Sequence, residues 1–196
     1  MVIFFDTETT GLCPGNICEL SYIMQDGDNI KGKNFFFAVD YVEYGALCVH
    51  GFSVEKLEQL SGGKDFSCFI DEIEKDFSAA DLIVSHNTAF DIMFMRKEFE
   101  RSKRDFTYKD SFCSMKKMTP ICKIPRTNGV GYKYPKLSEL CSFFSVTEAD
   151  VKKTCIKIFG AKCGFHDSRY DTAALFLSVN RGIESEKAME CIKGAI

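Results

Sequence analysis

The first forty residues hold three short apolar runs, VIFFDTE, ICELSYIMQ and KNFFFAV, separated by GLCPGN and DGDN. Aromatic and β-branched residues bounded by Gly, Pro, Asn and Asp are strand signals. Parallel neighbours need a crossover of about a dozen residues or more, and neither gap is that long. The chain therefore has to begin as antiparallel strands. DGDN, with its Gly between alternating apolar residues, favours a hairpin between the second and third.

Past this point the apolar spacing changes. Residues 54–60 and 66–77 follow a helical period, the second with Phe69, Ile70, Ile73 and Phe77 on one stripe. LIVSHN reads as a fourth strand, and TAFDIMFMRKEFERSK as a helix with Phe90, Phe94 and Met95 inward. A weak fifth strand lies near residues 108–113. Residues 119–136 hold three of the four prolines and read as a long irregular loop. Helices resume at LSELCSFF, at 148–159 with Thr147 and Asp150 as a capping pair, and at 168–181. Three strands followed by alternating helices and strands make an α/β domain, a mixed sheet with helices on both sides. With no linker or repeat in the pattern, one domain is expected over residues 1–182 and a short tail over 183–196.

A chain of 196 residues can bury a real core, and 45% hydrophobic with 27% charged residues is globular composition. No apolar run approaches the ~18 residues of a membrane span. Met1 leads directly into the first strand without a basic prelude or cleavage pattern, so a cytoplasmic chain with no membrane partner is expected. The ten cysteines contain no CxxC, which excludes the usual structural zinc spacing, and they read as reduced thiols. The net charge of −3 conceals a polarised distribution: residues 96–136 carry 12 Lys and Arg against 4 acids. Such a stretch either steers a polyanion to one face or is a solvated, mobile loop.

Four carboxylates stand out by position. Asp6 and Glu8 in FFDTETTGL are two apart on a strand and share a face. Two like charges ~5 Å apart repel by roughly 3 kcal/mol at an effective dielectric of ~20, so a cation between them is expected. Asp91 in SHNTAFDIMFM and Asp171 in FHDSRYDTAALFLSV each fall in the first turn of an apolar helix. Taken singly, Thr88-x-x-Asp91 and Ser168-x-x-Asp171 fit capping boxes. As a set, the four acids are placed to converge at one end of a sheet, where oxygen-only ligands suit Mg2+ or Mn2+. His166 lies five residues before Asp171, about 140° around a helix, so it belongs to the preceding loop. A neutral imidazole there can accept a proton from water.

Taken in order, DTETTG, HNTAFD and HDSRYD resemble the three motifs of the DEDDh, or DnaQ-like, 3′–5′ exonuclease family. VHGFS resembles the family's His-Gly segment between the first two, and the likeness runs from Val2 to about Arg181. The resemblance implies an RNase H-like fold whose five-stranded mixed sheet begins with three antiparallel strands. It also implies that Asp6, Glu8, Asp91 and Asp171 bind two divalent metal ions, Mg2+ or Mn2+, with His166 as general base of the histidine subtype. Tyr170 reads as packing. The implied reaction releases 5′-mononucleotides from single-stranded DNA or 3′ overhangs by two-metal-ion hydrolysis. Thr9, Thr10, Gly11, His50, Phe52, His86, Asn87 and Phe90 are expected to contact substrate. The Thr-Thr-Gly backbone does so by close approach, and Phe52 and Phe90 by stacking on bases, with a helix-core role equally open for Phe90. An RNA-trimming enzyme of the same fold and a catalytically silent nucleic-acid-binding module are the alternatives. The expected partners are nucleic acid, single-stranded DNA or RNA, and a polymerase or CRISPR adaptation proteins. KKTCIKIFGAKCGF, before the third motif, is longer and richer in Lys and Cys than the family pattern needs.

Overall fold

The computed structural model describes residues 1–12 and 15–185. Strands β1 (Val2–Thr9), β2 (Ile17–Asp26) and β3 (Asn29–Phe36) form the antiparallel start. Asp26 pairs with Asn29, leaving Gly27 and Asp28 as a two-residue loop. Gly27 has φ +58°, the positive angle at the first loop position that matches the twist of a hairpin. The chain continues through α1 (Tyr44–His50), α2 (Val54–Ser61), a 3-10 turn (Phe66–Phe69) and α3 (Ile70–Ala79). Next come β4 (Leu82–Ser85), α4 (Thr88–Arg101), β5 (Ser111–Cys113), α5 (Ser114–Lys117) and α6 (Thr119–Cys122). Helices α7 (Leu137–Phe143), α8 (Glu148–Phe159) and α9 (Ser168–Glu184) complete it.

The sheet order is β3-β2-β1-β4-β5, with β1–β4 and β4–β5 parallel. This is the five-stranded mixed sheet that the sequence pattern implies. Side chains of β1 alternate between two cores. Ile3 and Phe5 pack with Phe77, Phe94 and Met95 from α3 and α4. Phe4 packs on the other face with Leu140, Ala173 and Phe176 from α7 and α9. Phe5 meets Phe77 edge-on, and Phe4 meets Phe176 edge-on, each at 5.3 Å between ring centres. Burying each such ring contributes roughly 1.5–3 kcal/mol, and with both faces of β1 filled the strand cannot slide.

Helix α1 was not legible in sequence, because YGALCVH has no apolar stripe and only its terminal His50 is buried. The 66–77 segment begins as a 3-10 turn because the Asp65 carboxylate accepts the Cys68 N–H. The expected loop over 119–136 is partly ordered: α6 opens it, and Pro125 pairs with Tyr132 across a small antiparallel arm. Helix α9 runs two residues past the expected boundary at 182, and residues 186–196 of the expected tail lie outside the described residues. The eight described cysteines are free thiols. Among the described residues no helix is long and apolar enough to cross a membrane.

Candidate active site

Three chain segments meet where β1 ends. Glu8 stands opposite Glu19 of β2, but Thr9 stands opposite Ile17, so Cys18 is the extra residue of a bulge in β2, directly beside the second acid. Asp6 and Glu8 share the face of Phe4, on which α9 packs and delivers Asp171 from its first turn. Asp91 arrives in the first turn of α4, whose apolar residues belong to the other face. Thr7, the residue between the two acids, donates its hydroxyl to Asp91 Oδ1 at 2.9 Å and ties α4 to the strand end. The site is thus built over the end of the sheet, from both layers at once.

Ligand atoms of Glu8, His166 and Asp171 lie within 4.8 Å of one another. The charges show that Asp6 and Asp91 belong to the same cluster. Burial, then Asp171, Asp91 and Glu8, push the Asp6 carboxyl well above the usual carboxylate range. Burial, followed by Asp171 and Glu19, pushes Glu8 up to about 9. Burial raises Asp91 to about 7 against the opposing hydrogen bond from Thr7. Asp171 also rises to about 7 by burial, although the His166 backbone N–H donates to its carboxylate. His166 itself is exposed, on the loop before α9, with φ +62°. It leans over the site from outside the helix, as the spacing requires.

The capping-box readings do not hold. Asn87, in the left-handed region at φ +82°, occupies the N-cap of α4, and Thr88 donates instead to the Ser85 and Phe112 carbonyls. In α9 the N-cap is Asp167, whose carboxylate accepts the Arg169 N–H, while the Ser168 hydroxyl bonds that of Ser21 at 2.6 Å. Neither Asp91 nor Asp171 is engaged in capping, so both carboxylates are available to the site.

Several residues expected to contact substrate are engaged by protein partners. Phe52 is only 5% exposed, stacked on His50 and Phe36 with Lys56 over its ring, and offers no face to a base. His50 accepts the Phe52 N–H at Nδ1, so Nε2 carries the proton and donates to the Thr9 carbonyl at 3.2 Å. His86 is likewise used on both nitrogens, by Ser114 Oγ at 2.9 Å and the Pro135 carbonyl at 3.0 Å. The Thr10 side chain is buried and its Oγ1 accepts the Asn16 N–H, while the Thr9 hydroxyl donates to the Gly11 carbonyl. A Cβ at Gly11 would run into the Glu43 carboxylate, so this glycine makes room for Glu43. These residues shape the pocket from behind. Asn87 and Phe90 remain half-exposed at the start of α4, and Leu12, 79% exposed, stands beside Gly11.

A fifth carboxylate escaped the sequence reading. Glu19 is fully buried opposite Glu8, and its Oε2 accepts the Ser168 N–H at 3.0 Å. Its Oε1 has no hydrogen-bond partner among the described residues and lies 3.6 Å from the Arg169 Nε. Burial, then Asp167, pushes its carboxyl up to about 8. The sequence signal was present, an acid in the middle of the apolar ICELSYI. Glu19 clamps the start of α9, and with it Asp171, to the strand facing Glu8.

Known proteins extend this picture. The chain is 30% identical over 154 residues to DNA polymerase III subunit epsilon of Escherichia coli, covering 74% of this chain and 60% of that protein. It is 33% identical over 108 residues to the same subunit of Rickettsia felis, covering 52% and 45%. The chain thus spans well under two thirds of the length of these relatives. Among solved structures it resembles apo Exonuclease I, with a TM-score of 0.71 at 16% identity over 98% of this chain and 43% of that one. A zinc-bound complex of Escherichia coli ExoI with single-stranded DNA gives 0.70 at 16% identity, over 98% and 42%. At this identity the structural likeness speaks for the fold, which is RNase H-like. No family model matches the chain.

Proposed function

We propose that the chain, as a DnaQ-like 3′–5′ exonuclease, removes 5′-mononucleotides from the 3′ end of single-stranded DNA, a reading its likeness to DNA polymerase III subunit epsilon supports. The observation that carries this reading is the convergence of Glu8, His166 and Asp171 within 4.8 Å, beside Asp6, whose carboxyl is raised by Asp171, Asp91 and Glu8 as well as by burial. Four carboxyls all shifted upward by burial, Asp6 and Glu8 also by the neighbouring acids, fit divalent cations, which relieve both penalties. Their oxygen donors suit Mg2+ or Mn2+, and two ions are the number that four acids on three segments best serve. Bound there, divalent cations supply Lewis-acid polarisation of the phosphate and a more acidic water.

The chain's own groups do the rest. His166, exposed on the loop before α9, takes a proton from the attacking water at a ring nitrogen. The water oxygen bonds to phosphorus as the P–O3′ bond breaks, leaving a 5′-phosphate on the released nucleotide and a 3′-hydroxyl on the shortened strand. Phe90 and Leu12 flank the acids with accessible apolar surface for the terminal bases. The relatives named as DNA polymerase subunits support DNA as the substrate, the ExoI complex with single-stranded DNA supports a single strand, and association with a polymerase belongs to the same reading.

The test is a 5′-labelled strand of DNA, duplex or RNA, incubated with Mg2+ or Mn2+ and with chelator, for wild type and Asp6→Ala. A ladder on single-stranded DNA that vanishes with chelator and in Asp6→Ala is expected. A ladder on RNA alone would move the activity to RNA trimming, and a ladder surviving Asp6→Ala would defeat the site.

A further inference from the structure

By sequence the basic stretch spans residues 96–136, but much of its charge is already neutralised. Lys97 pairs with Glu100, Arg101 with Glu98, Arg104 with Asp71 and Glu74, and Lys109 with Asp81. The uncompensated charge is concentrated further on: residues 116–136 hold six Lys and Arg and no acid. Lys133 pairs with Glu139, whereas Lys116, Lys117, Lys123 and Arg126 form no ion pair among the described residues.

Residues 124–133 of this stretch are a built arm. The Lys133 N–H donates to the Ile124 carbonyl at 2.9 Å and the Arg126 N–H to the Gly131 carbonyl at 3.2 Å. Gly129 and Gly131, at φ +72° and +73°, turn the chain at its tip. The Arg126 Nε donates to the Tyr132 carbonyl at 3.0 Å, which holds the guanidinium beside that tyrosine. Val130 is 72% exposed, Tyr132 44% and Tyr134 55%, so two aromatic rings face solvent among unpaired cations. The foot of the arm is fixed at the active site: the Pro135 carbonyl bonds His86, the residue before Asn87 at the end of β4. The other ring nitrogen of His86 bonds Ser114, which opens α5 with Lys116 and Lys117. A cationic, aromatic arm and a cationic helix thus share one histidine on the rim of the acid cluster.

We propose that this arm is a separate binding site for single-stranded nucleic acid, holding the strand upstream of its 3′ end. Bases stack on Tyr132 and Tyr134, while phosphates meet Lys123, Arg126 and the neighbouring Lys116 and Lys117. Exposed rings interleaved with unpaired cations match a polyanion whose bases are unstacked, since each base offers a π-face. A duplex hides those faces, and an acidic protein would use the cations but leave the rings idle. The identity of the held strand as substrate rests on the exonuclease reading, but binding by the arm does not.

The experiment measures fluorescence anisotropy of labelled oligo-dT in chelator, with strands of about 4 and about 20 nucleotides. For Tyr132→Ala with Tyr134→Ala, affinity for the long strand is expected to fall about 10-fold, with the short strand unchanged. For Lys123→Gln with Arg126→Gln, the slope of log affinity against log salt is expected to shrink by about 1.4 for the long strand. Turnover of the short strand stays as in wild type for both. Equal long-strand affinity and salt slope in wild type and both variants overturns the proposal and leaves an acidic protein as the class of partner. Wild type that binds long strands through the arm yet cuts nothing keeps this inference and sinks the exonuclease reading. Cutting with the same KM for short and long strands does the reverse.

Discussion

The starts of α4 and α9 look alike in sequence: a hydroxyl residue, two more residues, then an aspartate, followed by an apolar helix. In the structure they differ. Asp91 is 3% exposed and its carboxylate is held by Thr7 from the strand. Asp171 is half-exposed, held by the backbone N–H of the exposed His166, and its helix start is clamped by Glu19. One acid is tied to the sheet's end by a neutral hydroxyl, and the other sits in a first helical turn whose start is clamped by a buried carboxylate. Similar patterns therefore supply a buried half and a more open half of one site.

Removing either acid breaks both halves. Asp91→Asn and Asp171→Asn are each expected to lower kcat on the order of 10³-fold, read from single-turnover ladders. An effect on only one of them would show that the two helix starts do not serve a common centre. His166→Ala should come next, with a loss of about 10²–10³-fold in turnover while Mn2+ binding, followed by calorimetry, persists. Lost Mn2+ binding there would make His166 a ligand.

The supports separate the halves more finely. Thr7→Val and Glu19→Gln should each reduce activity about 10–100-fold by loosening a ligand's orientation. Glu19→Gln acts on the α9 side, so it should also raise the Mn2+ concentration for half-activation at an unchanged melting temperature. The same Mn2+ response in both variants would erase the distinction between the buried and the more open side.

The smallest effect is on stability. Asp91 and Asp171 rise from 3.8 to about 7 on folding, so the folded protein binds protons more tightly than the unfolded chain. In chelator their stabilising contribution is full below pH 3.8 and is lost as the pH rises to about 7. Glu8 extends the decline toward about 9. Melting temperature in chelator should fall across this window and recover on adding Mn2+. A flat profile would show that the carboxyls are not pressed together.

Much of this was local and therefore legible. The antiparallel start, β4, α4, α8 with its Thr147–Asp150 box, and α9 follow from apolar period, turn residues and caps that act within a few residues. Asp6, Glu8, Asp91 and Asp171 were legible as candidates because acids in apolar surroundings stand out without any knowledge of their neighbours, and His166 because it stands in the segment just before Asp171. What tertiary structure alone decided were pairings across the chain. Thr7 with Asp91 and Glu19 with Ser168 join residues 84 and 149 positions apart, and no local period encodes such a bond. The same holds for His50 and Phe52, whose motif suggested substrate and whose partners across the chain are the Thr9 carbonyl and the Phe36 ring. Residue type announces chemistry, but burial and partner decide whether a side chain faces the substrate or holds up the residue that does.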